Sequence, residues 1–393
     1  MKHRAQVAAA AVVLSVSGLV LWRSRGGPTG PYGGASGPVE AVKASPADGN
    51  QGAAAPRVDL VFALDTTSSM SGLIAGAKAK IWEIARRAQE GQPAPELRVG
   101  LVAYRDKGDQ YVTKVLDLTA DLDKVYATLT ALRAEGGGDQ PEHVIKGLED
   151  AVDGVSWSTG SNGVKLVYLV GDAPPHLDYD DGPTLDAVLA RARRRGIRIS
   201  AVRCGNDERT LETWTTIARR TDGEVSTIEQ SGGVVAVTTP FDGELARLNA
   251  ELAATEVHWG SEGERRAARE DLSRNLAATA AEQADRASFY GSAASTRAAP
   301  RKKDLAAAPP ADLRKVRDEE LPAELRGLSP EERGRYVESK RARRDAILSQ
   351  VREVSGKREA HLRAAAPPAP ASFDGRVYES LRKAGAGAGI TYR

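Results

Sequence analysis

The sequence predicts an α/β protein: a doubly wound, mostly parallel six-stranded sheet with one antiparallel edge strand, followed by a C-terminal helical region. Three observations predict it. Short apolar runs alternate with helix-periodic segments from Arg57 to Ile228, the pattern of strand–helix–strand units. One pair of runs is joined by a turn too short for a parallel crossover. Beyond about Pro240 the composition shifts to Ala, Arg and Glu, and aliphatics thin out.

The elements follow in order. Val58 to Leu64 is an apolar run broken only by Asp59, as in a buried strand. Met70, Leu73, Ile74, Ala77, Ile81, Ile84 and Ala85 recur at helical spacing. Leu97 to Tyr104 and Tyr111 to Leu118 are the second and third strands, and the Lys107-Gly108-Asp109 turn between them favours a hairpin. Leu122 to Leu132 and Val144 to Val152 are helical, separated by a Gly-rich loop. Val164 to Val170 is the fourth strand, Thr184 to Arg195 a helix ended by Gly196, and Ile197 to Val202 the fifth strand. Leu211, Trp214, Ile217 and Ala218 form one helical face before the short strand Glu224 to Ile228. Farther on, Ser329-Pro330-Glu331-Glu332 is a helix start, with Ser as cap and Pro at the first position. That helix extends to about Ala364, with apolar residues too sparse for a core of its own, so it suits a helical hairpin or docking on another element. Phe373, Val377, Tyr378 and Leu381 mark a last amphipathic piece.

The bulk numbers narrow the function. In 393 residues, 41% are hydrophobic but only 5% aromatic, so the core is mostly aliphatic. A net charge of +2 gives no electrostatic case for nucleic-acid binding. The single cysteine, Cys204, excludes an internal disulfide and reads as a small, partly buried residue. Lys2, His3 and Arg4 precede an uncharged stretch from Ala5 to Trp22, which Arg23 and Arg25 close. Residues 1–25 thus read as a signal anchor or signal peptide, the anchor being favoured because no Ala-x-Ala site follows. Residues 26–56 read as a flexible Gly/Pro-rich linker, 57–239 as the sheet domain and 240–393 as a charged, mainly helical region. This implies a membrane-anchored chain with its bulk outside the cytoplasm, or a secreted or periplasmic one after cleavage.

Three segments carry candidate chemistry, each at the carboxyl end of a strand or in a loop on that side, where open α/β sheets bind ligands. In Asp65-Thr66-Thr67-Ser68-Ser69, one carboxylate and two hydroxyls at Asp65, Thr67 and Ser69 offer hard oxygen donors suited to Mg²⁺. The plain alternative is a helix cap. In Gly136-Gly137-Gly138-Asp139-Gln140-Pro141-Glu142, the glycines permit positive φ; Asp139 either turns inward or caps the helix that Glu142 begins. Asp172 closes an otherwise apolar strand and is hard to explain as packing. Carboxylates converging in one crevice repel at about 4 kcal/mol per pair at 4 Å and an effective dielectric near 20, a penalty that a divalent ion removes. Asp106 reads equally as a supporting residue or a turn residue, His176 as a surface residue, and Arg193-Arg194-Arg195 as a solvated helix end.

Together these segments resemble the metal-ion-dependent adhesion site of von Willebrand factor type A domains, from about Arg57 to Val237, under half of the chain. The resemblance implies that Thr67 and Ser69 ligate Mg²⁺ (or Mn²⁺ or Ca²⁺) directly, that Asp65 and Asp172 act largely through water, and that an open position takes an Asp or Glu carboxylate from a protein partner. Tyr104-Arg105-Asp106, Gly136-Gly137-Gly138-Asp139 and Gly171-Asp172-Ala173-Pro174 are similar to a bacterial, alpha-kinase-associated subgroup. Many members have Thr in the middle loop. Asp139 in that place makes the site more negative, which favours the cation and weakens attraction for an acidic ligand. The expected function is a metal-dependent adhesion or assembly module rather than an enzyme. A Mg²⁺-dependent phosphohydrolase is the alternative, but its D-x-D pattern is broken by Thr67. No Gly-x-Gly-x-x-Gly follows a strand and no P-loop is present, which argues against nucleotide binding. A non-adhesive envelope scaffold is the third reading.

Overall fold

The computed structural model describes residues 55–138, 140–160, 163–230, 238–292, 303–307, 313–365 and 372–392. Residues 1–25 and Asp139 lie outside them. Six strands, β1 (Arg57–Asp65), β2 (Glu96–Tyr104), β3 (Thr113–Thr119), β4 (Gly163–Gly171), β5 (Arg198–Cys204) and β6 (Val225–Ile228), form one sheet in the order β3-β2-β1-β4-β5-β6. All neighbours pair in parallel except β2 and β3, the expected antiparallel edge.

The pleat sorts each strand's residues between two faces. Val58, Leu60, Phe62 and Leu64 pack into one cluster with α1 (Ser71–Gln89) and α2 (Leu122–Ala131). Val61 and Ala63 pack on the other side, against α3 (Val144–Asp153), α4 (Leu185–Arg194) and α5 (Glu208–Arg220). Asp59, the polar break in the first run, is buried but holds Arg98 through bonds of 2.9 and 2.7 Å, and it accepts the Ser158 N–H. A paired buried carboxylate leaves no orphaned charge.

The region after β6 contains α6 (Asp242–Ala253), α7 (Glu262–Leu276), α8 (Ala280–Gly291), α9 (Pro330–Ala365) and α10 (Phe373–Gly387). Ser329 and Glu332 form the expected reciprocal cap at the start of α9. The sparse apolar residues of α9, Ile347, Val351 and Val354, meet Leu245, Leu248 and Leu252 of α6 and Ala284 and Ala287 of α8. The helix docks rather than making its own core. Arg286 of α8 lies buried against Asp123 of α2 (2.6 and 3.1 Å), tying this helical region to the sheet.

Helix α10 returns to the sheet. Phe373, Val377, Leu381 and Ala384 join the cluster around Phe62 and Tyr168. Tyr168 donates its hydroxyl to the Val377 carbonyl, and Ser200 meets Ser380 at 2.9 Å. Beyond α10, Gln92 and Thr391 exchange two backbone bonds, and the Tyr392 hydroxyl reaches the Ala88 carbonyl. The helix covering β4 and β5 on this face therefore comes from the far end of the chain. Among the described residues no helix is long and apolar enough to cross a membrane.

Candidate metal site at the strand ends

Asp65, Tyr104, Gly171 and Cys204 are the last residues of β1, β2, β4 and β5, so four parallel strands end along one edge. Past β1 the chain turns sharply. Asp65 Oδ1 accepts the Thr67 N–H at 2.9 Å and the Thr67 hydroxyl at 2.7 Å, and Thr67 Oγ1 stands 3.3 Å from Ser69 Oγ. Such an Asp-led turn orients the two hydroxyls. The helix-cap alternative does not hold: the cap position of α1 is Met70, with no side-chain cap bond.

The Gly-rich loop lies directly on this turn. The Gly136 carbonyl accepts both the Ser68 N–H and the Ser68 hydroxyl. Gly137 has φ +71°, and a Cβ there would fall 2.8 Å from Thr67 Cβ and 3.1 Å from Glu142 Oε1. Only glycine allows that approach. Glu142 does not begin the next helix as expected. It precedes α3, whose cap position is His143, and its side chain turns inward.

Asp65 is fully buried and Glu142 is 3% exposed, and neither Asp65 Oδ2 nor Glu142 Oε2 has a hydrogen-bond partner. Burial, opposed by the Thr67 bonds and reinforced by Asp172, pushes the Asp65 carboxyl up to about 7. Burial, together with Asp65, Asp106, Asp109 and Asp172, pushes Glu142 up to about 9. Asp172 is also buried; its Oδ2 accepts Gln230 Nε2 at 2.6 Å, and Gln230 donates to the Ser69 carbonyl as well (3.2 Å). Gly171 brings β4 so close that a Cβ would lie 2.6 Å from the Tyr104 hydroxyl and 3.1 Å from Asp65 Oδ2.

The first and third segments therefore meet, joined by Gln230, and the middle segment contributes Glu142. Asp139 lies outside the described residues. Glu142 and Gln230 were not singled out from sequence. The glutamate stands in the glycine-loop motif, whereas Gln230 has no local signal. Among the described residues no trio of Asp, Glu, His or Cys is arranged to hold a metal ion. The oxygen set here is mixed: carboxylates from Asp65, Asp172 and Glu142 with the hydroxyls of Thr67 and Ser69. Two partnerless buried carboxylate oxygens fit a hard cation, which would satisfy both and relieve their repulsion.

The supporting loop is ordered. Tyr179 donates to both oxygens of Asp106 (3.0 and 2.8 Å), which makes Asp106 an anchor for this loop. His176 is packed rather than a free surface residue. It stacks on Tyr179 at 4.1 Å between ring centres, lies 2.9 Å from Asp178, and donates its backbone N–H to the Glu142 carbonyl. Cys204 is buried, which pushes its thiol pKa up.

Residues 59–239 match the family model described as von Willebrand factor A domain. Von Willebrand factor A domain-containing protein 7 of Rattus norvegicus is 37% identical over 97 residues, 25% of this chain and 10% of that protein. Its Mus musculus counterpart is 28% identical over 183 residues, 43% of this chain and 19% of that protein. The matches thus span a tenth to a fifth of those relatives. Solved structures with similar parts include the pilus adhesin SpaC of Lactobacillus rhamnosus GG in its open conformation (14% identity, 46% of this chain, 28% of that chain, TM-score 0.36). Another is the SpRpn10 VWA domain (15% identity, 44% of this chain, 89% of that chain, TM-score 0.32). Domains of this family are generally protein-interaction modules without enzymatic activity. The family match and the sheet topology together support a von Willebrand factor A domain in residues 59–239.

Proposed function

We propose that this domain is a divalent-metal-dependent protein-interaction module. Mg²⁺ would be held by the Thr67 and Ser69 hydroxyls, by Asp65 and Asp172 directly or through water, and by Glu142, with Asp139 as a further acidic group. Bound there, the ion supplies an open coordination position for a carboxylate of a protein partner. The chain's own residues do the rest. Asp65 fixes Thr67, Gln230 fixes Asp172 against the Ser69 turn, and the glycine loop brings Glu142 within reach. Residues 1–25 would act as a membrane anchor that leaves the domain outside the cytoplasm.

The observation that carries this reading is the pair of buried, partnerless oxygens, Asp65 Oδ2 and Glu142 Oε2. A buried acceptor without a donor costs roughly 1–3 kcal/mol, more if charged, and an ion is the economical remedy for two at once. The test is thermal melting of the full chain with Mg²⁺ or EDTA. An ion at one hundred times its Kd should add about 2.7 kcal/mol. The shift should vanish in Asp65→Ala; no shift in the wild type, or an equal one in the variant, refutes the metal site. Crosslinking and pull-down from native membranes in Mg²⁺ against EDTA tests partner capture and tethering.

A further inference from the structure

The charges around this site describe the partner. Around Glu142 stand Asp65, Asp106, Asp109 and Asp172, five carboxylates in all. Two cationic side chains stand beside them among the described residues: Arg105, which acts on Asp65, and Lys107, whose ammonium lies 3.8 Å from the Tyr179 ring centre. With the ion bound and all five carboxylates ionised, five against two leaves three negative charges, of which the divalent ion removes two. The loop after β4 then adds the exposed Asp178, Asp180 and Asp181, so these described residues together with the ion carry four negative charges. Farther along the rim, Arg203 is offset by Glu208 at 3.8 Å, and Arg133 stands two residues from Glu135. The divalent ion does not turn this face into an anion receptor. A bare acidic partner would meet a repelling field before it met the metal.

The same loop presents an apolar contact. Leu177 is 72% exposed, and with Val115 it makes up the exposed large hydrophobics among the described residues. It sits on an ordered scaffold: His176 before it is bonded to Glu142, Tyr179 after it is clamped by Asp106 and Lys107, and Lys107 reaches Asp181 at 2.9 Å. A leucine held in place beside the oxygen pocket offers contact area at little ordering cost.

We infer that the partner is a net-basic protein segment, in which the oxygen donor that completes the metal shell is flanked by lysine or arginine, with an apolar side chain set against Leu177. This rests on the metal reading above, and it adds that recognition is carried by the acidic rim. Asp178, Asp180 and Asp181 select the basic flanks, and the ion selects the oxygen.

The experiment is a selection from a random peptide library displayed on phage, against the immobilised full chain in Mg²⁺, with elution by EDTA. Mg²⁺-dependent binders enriched in Lys and Arg around an Asp or Glu are the expected result. Acidic or uncharged binders, or no Mg²⁺-dependent binder at all, overturn the inference. A synthetic peptide from the enriched set should bind faster at low than at high salt. It should lose about two- to fivefold in affinity for each of Asp178→Asn, Asp180→Asn and Asp181→Asn, the range of exposed ion pairs. All three residues are on the surface, so folding is preserved. Unchanged affinity in the triple variant also overturns the inference. Calorimetric titration of the chain with Mg²⁺ alone reads the metal site separately: a chain that binds Mg²⁺ and still prefers acidic peptides refutes this inference and leaves the metal reading intact.

Discussion

Loading the site with Mg²⁺ at neutral pH should eject protons. Asp65 titrates near 7, so about half of its population is protonated at pH 7; Glu142 titrates near 9 and is almost wholly protonated there. An ion that takes both as carboxylates releases up to about 1.5 protons at pH 7, because metal ligands must be deprotonated to bind. The same linkage makes the apparent Mg²⁺ affinity rise by about a hundredfold between pH 7 and pH 9. Both folded-state values lie above the ordinary 3.8 and 4.5, so the metal-free folded chain keeps protons that the unfolded chain has already lost. Its stability is therefore highest below about pH 4 as far as these two groups are concerned, and it declines as pH rises through about 7 and then 9. Mg²⁺ should restore it most at the alkaline end. The assay is calorimetry of Mg²⁺ binding in two buffers of different ionisation enthalpy. Glu142→Gln should lower the release by about one proton. Binding of Mg²⁺ with no proton release in the wild type, or with the same release in Glu142→Gln, would falsify the assignment of Glu142 to the ion.

Other expectations concern the frame. Gly171→Ala places a methyl against the Tyr104 hydroxyl and Asp65, and should destabilise by roughly 1–3 kcal/mol in urea melts, the usual range for overpacking. Phe373→Ala removes the ring that packs on Phe62 and should cost about 3–5 kcal/mol. A loss under about 1 kcal/mol would mean that α10 is not part of the sheet's core. Asp123→Ala removes the two-point partner of the buried Arg286 guanidinium, which keeps Glu256 at 3.2 Å and Asn249, and should cost about 3 kcal/mol, the low end for breaking a buried pair, whereas replacing both residues by apolar ones should cost less. Chemical denaturation of the single and double variants checks the difference.

How much could be read from the sequence follows the range of the forces involved. The strands and most helices were legible because apolar periodicity is local, and the Lys107-Gly108-Asp109 turn declared its antiparallel pair by length alone. The Asp65-Thr67-Ser69 turn was legible for the same reason: its donors and acceptors are two residues apart. Glu142 stands where the local pattern starts a helix, but its inward turn depends on the backbone bond that its N–H donates to the Pro174 carbonyl, which links two loops distant in sequence. Gln230, which reaches Asp172 from beyond β6, had no signal at all. His176 read as a surface residue because its cover, Tyr179, is a stacking partner rather than a hydrophobic neighbour. The amphipathic stripe of α10 was plain, but no stripe names the surface it will cover.

The strands of the sheet are complete by Ile228, yet the helix that seals Phe62 and Tyr168 lies at residues 373–387, after the whole α6–α9 region. During synthesis, the nascent sheet must wait through all the intervening helices with an oily flank bare. Such a flank is what chaperones grasp and what drives aggregation. A chain cut short before Phe373 would leave the apolar flank around Phe62 and Tyr168 without that cover.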